Sequence, residues 1–111
     1  MARMKDIDTF KRDNALMDFL KKKRGKENVT SSKEIATYLN SLGYVTSSTA
    51  VHSMVNRIRE ERSLPICYMN SKGYFWAKSL SEIKSTIADI DSRIQALTEH
   101  KNQLQSFLFE E

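Results

Sequence analysis

Residues 46–77 read TSSTAVHSMVNRIREERSLPICYMNSKGYFWA, and the two halves of this stretch follow different periods. In the first half Val51, Met54, Val55 and Ile58 recur at steps of three and four, the apolar stripe of an amphipathic helix. With Ser47 or Thr46 as N-cap, the spacing predicts a helix over about Ser48 to Glu61. In the second half two β-rich runs, Leu64–Met69 and Tyr74–Ala77, flank the turn-forming Asn70-Ser71-Lys72-Gly73, which reads as a hairpin. Pro65 is tolerated at the start of a strand. An amphipathic helix therefore passes straight into a β-hairpin, and the elements before it decide the fold.

Two further helices lie upstream. Ser31 with Glu34 three residues on forms a capping box, opening a helix with the stripe Ile35, Ala36, Leu39 and Leu42. Gly43 ends it where a positive φ is wanted. Only Tyr44-Val45-Thr46 separates this helix from the next, so the two must cross steeply. Before it, from about Thr9 to Lys23, Phe10, Leu16, Phe19 and Leu20 fall at roughly helical spacing, with Ala15 and Met17 nearby. This first helix runs out into Lys21–Lys26, where Gly25 supplies a left-handed cap and the cations complement the helix end. The cluster reads equally as a solvated helix end or as a DNA-phosphate contact. Asn28-Val29-Thr30 reads as a short extended piece, and residues 1–8, with little periodicity, are expected to fray.

After the hairpin, Ser79 and Glu82 form a second capping box, and no Gly or Pro follows. Ile83, Ile87, Ile90, Ile94, Leu97, Leu104 and Leu108 keep an a/d heptad spacing, with Lys101 at the one polar position. A helix that folds back on its own domain needs a wider stripe than this narrow one. The pattern therefore predicts a homodimer through these eight residues, in which Lys101 costs stability but helps set register.

Composition limits the functional classes. The 111 residues are one domain's worth, and 40% apolar content supports one modest core. No run is apolar enough to cross a bilayer, and MARMKDIDTF lacks the apolar core of a signal peptide, so a cytoplasmic location without membrane is expected. Cys67 is the single cysteine, read as a small apolar strand residue; with only His52 and His100 beside it, no ordinary zinc site can form. No cofactor is expected. There is no phosphate-binding glycine loop and no plausible Ser/His/Asp set, so the chain reads as a non-enzyme.

Charge is unevenly spread. The net charge of +4 divides into a basic body over residues 1–78 and an acidic tail over residues 79–111, where three Lys/Arg meet six acids. A basic body implies a polyanionic partner. Opposite the apolar stripe of the third helix lie Ser48, Thr49, His52, Ser53, Asn56 and Arg59, while Lys72 sits in the hairpin turn. A helix fits the major groove; Asn56 can pair with adenine, Arg59 with guanine or a phosphate, and Lys72 can hold a phosphate. The competing reading of these residues is an ordinary solvated helix face, with His52 a surface residue. Tyr74, Phe75 and Trp76 are read as packing a small sheet onto helices, with a base-stacking platform as the rival.

The order helix, short strand, helix, turn, helix, hairpin is that of a winged helix-turn-helix. The predicted class is thus mainly α with a β-hairpin: a winged-helix domain over 1–78 and a coiled-coil dimerisation helix over 79–111. The segments ENVTSSKEIATYL, SSTAVHSMVNRIREERSLPIC and NSKGYFWAKSLSEI resemble small winged-helix proteins of phages and prophages of Gram-positive bacteria. Gly73, Tyr74, Phe75, Ala77 and Glu82 carry the match, which covers about residues 15–95 and departs modestly at Glu60-Glu61-Arg62-Ser63-Leu64. The resemblance implies double-stranded DNA as partner, in gene regulation or replication in the bacterial cytoplasm, and no catalytic residues. The alternative on the same fold is an adaptor or inhibitor that binds a host or phage replication or defence protein.

Overall fold

The computed structural model describes residues 6–109, with side chains from Asp8 on. The elements are α1 (Asp6–Lys21), α2 (Ser32–Ser41), α3 (Ser48–Arg62), β1 (Ile66–Met69), β2 (Gly73–Trp76) and α4 (Leu80–Ser106). Single 3-10 turns occupy Lys26–Asn28 and Phe107–Phe109. The fold is mainly helical, with one small antiparallel sheet and a long C-terminal helix. The expected fraying of residues 1–8 falls mostly outside the described residues, but α1 already begins at Asp6.

Local caps place the helix starts. The Ser31 hydroxyl accepts from the Glu34 N–H, and the Glu34 carboxylate accepts in return from the Ser31 N–H, both at 3.1 Å. This reciprocal pair satisfies two donors that the first turn of α2 leaves over, and the bond from Ser31 holds the Glu34 carboxyl below its ordinary range. Ser47 caps α3 through the Ala50 N–H. Gly43, at φ 93, carries the chain out of α2. Asn40 then clasps the linker, donating to the Thr46 carbonyl at 3.0 Å and accepting from its N–H at 2.9 Å. This clasp fixes the short turn between α2 and α3.

The hairpin pairs Ile66 with Trp76, Cys67 with Phe75, Tyr68 with Tyr74 and Met69 with Gly73. Its other edge is met by Thr30, whose N–H and carbonyl exchange 2.8 Å bonds with Tyr74. The expected extended piece is therefore shorter than Asn28–Thr30: Asn28 belongs to a 3-10 turn, and Thr30 alone pairs. Gly25 also departs from expectation. It lies beyond the end of α1, at φ 85 and ψ 150, and donates its N–H to the Trp76 carbonyl instead of capping the helix.

The core lies where α1, α2, α3 and the inner face of the hairpin meet. Leu16, Leu20, Ile35, Ala36, Leu39, Val51, Met54, Val55, Ile58, Ile66 and Tyr74 are buried there. Two residues depart from their expected stripes. Leu42 is 48% exposed, because α2 ends one residue before it and the chain turns away. Phe10 is 59% exposed and lies against the Arg62 guanidinium instead. Asp13, almost wholly buried, joins α1 to α3 through a 2.8 Å ion pair with Arg57.

The hairpin is covered on both faces. Cys67, Phe75 and Ala77 form a second cluster on its outer face, against Val29, Met69 and Ile83. Ile83, the first residue of the expected dimer stripe, thus packs on its own sheet. Glu82 does not complete a capping box as expected. Ser79 accepts from the Glu82 N–H, but the Glu82 carboxylate accepts from the Lys78 N–H at 2.8 Å and the Lys26 N–H at 2.9 Å. One carboxylate thereby ties the start of α4 to the turn after α1, and those two backbone bonds hold it below its ordinary pKa. Beyond this anchor Ile87, Ile90, Ile94, Leu97, Leu104 and Leu108 are exposed along the helix. No helix among the described residues is long and apolar enough to cross a membrane.

Candidate nucleic-acid interface

Burying Val51, Met54, Val55 and Ile58 leaves the opposite face of α3 outside. Ser48, Thr49, Ser53 and Asn56 are exposed, as the helical period requires, while His52 and Arg59 are half-buried. The two half-buried residues turn toward the hairpin. His52 Nδ1 is hydrogen-bonded to the Tyr74 hydroxyl, and its ring lies 5.6 Å from that of Tyr74 and 6.3 Å from that of Tyr68. Burial pushes the Tyr74 phenol above its ordinary pKa, with Tyr68 adding to the rise and Arg59 opposing it. The hydroxyl therefore keeps its proton and remains a hydrogen-bond donor. Arg59 donates to the Asn56 side-chain oxygen at 2.8 Å. Bidentate pairing of Asn56 with adenine needs that oxygen released.

Lys72 is exposed in the hairpin turn, where its N–H donates to the Met69 carbonyl at 3.0 Å and Ser71 takes φ 67 at the turn's third position. One groove joins this turn to the helices. It is lined by Ser31 and Ser32 at the start of α2, His52 of α3, Tyr68 of β1, and Ser71, Lys72 and Gly73 of the turn. The geometry thus brings His52 and Lys72 together, with Ser53 and Asn56 on the adjoining exposed helix surface.

A second cleft lies on the other side of α3. His52, Asn56 and Arg59 form one wall, Tyr68 and Tyr74 contribute from the strands, and Ile90 and Arg93 of α4 form the opposite wall. Spacing within α3 could not reveal Tyr68 or Arg93. Tyr68 had a signal in its alternation with Ile66 on the inward side of a strand. Arg93 had none, because only the course of α4 past β1 brings it here.

The hairpin aromatics have a different role from a stacking platform. Tyr74 and Phe75 are buried on opposite faces of the sheet, and Trp76 packs against the main core. The basic run Lys21–Lys26 lies at the opposite end of the hairpin from Lys72, since the Lys23 carbonyl accepts from the Trp76 N–H at 2.7 Å. Within the run, Lys23 sits over the Phe19 ring. Among the described residues no group of three His, Cys, Asp or Glu is placed to hold a metal ion.

No family model matches the chain, and no curated protein or solved structure matches it significantly.

Proposed function

We propose that this chain is a winged-helix protein that binds double-stranded DNA as a homodimer joined through α4, in gene regulation or replication of phage type in a bacterial cytoplasm. The observation that carries the reading is the shared groove: the polar side of α3 and the turn bearing Lys72 border one hollow, beside the start of α2. A recognition helix flanked by a wing reads a duplex in this way, the helix on base edges and the wing on phosphate. The bridge from Thr30 to Tyr74 supports the winged-helix assignment, because it supplies the third, short strand position of such a sheet. The exposed a/d seam of α4 supports the homodimer.

The test is duplex binding across a salt series. Each phosphate neutralised releases condensed counterions, so a dimer with roughly three contacts per subunit has a log–log slope of about −5. Absence of duplex binding near ~50 mM salt, where phosphate contacts are strong, sinks the reading.

One observation favours a second reading. Lys21–Lys26 and Lys72 lie at opposite ends of the hairpin, so the body offers separate basic patches instead of one stripe. An adaptor that binds a host or phage protein does not need a continuous positive surface. Capture of a specific protein by a chain that binds no duplex is the outcome that selects it.

A further inference from the structure

We infer that Arg93 of α4 and Arg59 of α3 grip one phosphate of a nucleic-acid backbone in the cleft between the two helices. The inference rests on the nucleic-acid reading above and adds α4 to the binding surface.

The cleft is lined by His52, Asn56, Arg59, Tyr68, Tyr74, Ile90 and Arg93, and encloses about 280 Å³ of solvent space. No carboxylate lines it. Elsewhere in the body, cations are matched: Arg12 and Arg57 meet Asp13, and Lys78 meets Glu27. Among the described residues Arg59 and Arg93 make no ion pair, and Arg59 donates only to Asn56. Asp89, one turn before Arg93, lines the neighbouring hollow at the hairpin tip and does not face into this cleft. Two unneutralised guanidiniums on opposite walls form a site for an anion that accepts from both.

The ligand class follows from shape and surroundings. The cleft opens along α3 beside its exposed Asn56 and Ser53, so an anion held there continues over a polar helix face. A phosphodiester chain has both features: an anion at each unit, and polar groups between. The Tyr74 hydroxyl is held by His52 at the back of the cleft and stays protonated, which keeps the site free of negative charge.

The test uses the full-length chain. In NMR spectra that resolve arginine Nε–Hε groups, inorganic phosphate should shift Arg59 and Arg93 together and saturably. In duplex binding, Arg93→Ala should weaken affinity about tenfold, the low end for a hydrogen-bonded charged contact, and reduce the salt slope by about 0.9. Arg93→Lys should fall between Ala and wild type, because it keeps the charge but loses the fork. Lys84→Ala, which removes a charge from α4 outside the cleft, should leave the slope unchanged. Circular dichroism confirms that each variant is folded. If duplex binds normally to Arg93→Ala and phosphate moves neither resonance, the cleft assignment is overturned while the DNA reading stands. If wild type binds no duplex but a single-stranded oligonucleotide shifts both arginines, the cleft stands and the duplex reading falls. A poly-glutamate peptide that shifts them at lower concentration than either nucleic acid overturns the phosphate assignment in favour of an acidic protein partner.

Discussion

The backbone of Thr30 passes so close to Gly73 that a Cβ on the glycine would lie 2.0 Å from the Thr30 carbonyl oxygen. Gly73 also holds φ +127, a conformation that side-chain-bearing residues rarely adopt. The position therefore has two separate requirements for glycine, and both follow from Thr30 pairing beside it with Tyr74. Gly73→Ala should lower stability by more than ~2 kcal/mol, since neither backbone can yield without breaking that bridge. Urea denaturation measures the loss. A variant as stable as wild type would show that Thr30 does not pair with the hairpin.

Ile58 is fully buried between α3 and the rest of the core. Ile58→Ala should cost ~2–5 kcal/mol, the usual range for removing a large side chain from a packed interior. A loss below ~0.5 kcal/mol, typical of surface changes, would mean that α3 is rotated and that its polar face is not the outer one.

The seam of α4 is tested by substitution beyond the anchor, because Ile83 covers Phe75 and Cys67 of its own sheet and must be left in place. Ile94 and Leu97 are both exposed. The full-length chain should sediment as a dimer, and Ile94→Lys with Leu97→Lys should sediment as a folded monomer. A wild-type chain that is monomeric at ~100 µM, well above ordinary coiled-coil dissociation constants, refutes the homodimer.

Glu82 links pH to the attachment of α4. Its carboxyl is held below the ordinary value by bonds from the Lys78 and Lys26 N–H groups. A depressed folded-state pKa contributes stability above the unfolded value, ~4.3 for Glu, and that contribution is lost as pH falls through the folded value. Amide exchange at Lys26 and Lys78 should therefore accelerate in acid, below the ordinary Glu range. Glu82→Gln, with one acceptor oxygen in place of two, should show faster exchange at one or both amides already at neutral pH. Equal exchange in variant and wild type would show that the carboxylate does not hold the helix.

Asn56 and Lys72 separate reading from anchoring. Asn56→Ala should flatten preference among duplex sequences by about 1–3 kcal/mol if the side chain meets a base. Lys72→Ala should weaken all sequences alike and reduce the salt slope by about 0.9. Identical behaviour of the two variants would remove the division of labour between α3 and the turn.

Much of this molecule is written in short-range signals. The boxes and caps at Ser31 and Ser47 connect residues three apart, and the stripe Val51, Met54, Val55, Ile58 describes one side of one helix. Such features depend on the chain's local geometry, so residue order alone determines them, together with the hairpin around Lys72 and the a/d spacing from Ile87 onward. Periodicity says which residues share a face; it does not say what that face meets. Tertiary packing decided that Ile83 goes to its own sheet, that Glu82 answers Lys26 instead of Ser79, and that Leu42 and Phe10 stay outside the core. It also decided that Arg93 stands across a cleft from Arg59. These pairings join residues far apart in the chain, and their geometry exists only once α4 has docked along the hairpin, because the outer face of that sheet is the apolar surface left for its first turn to cover.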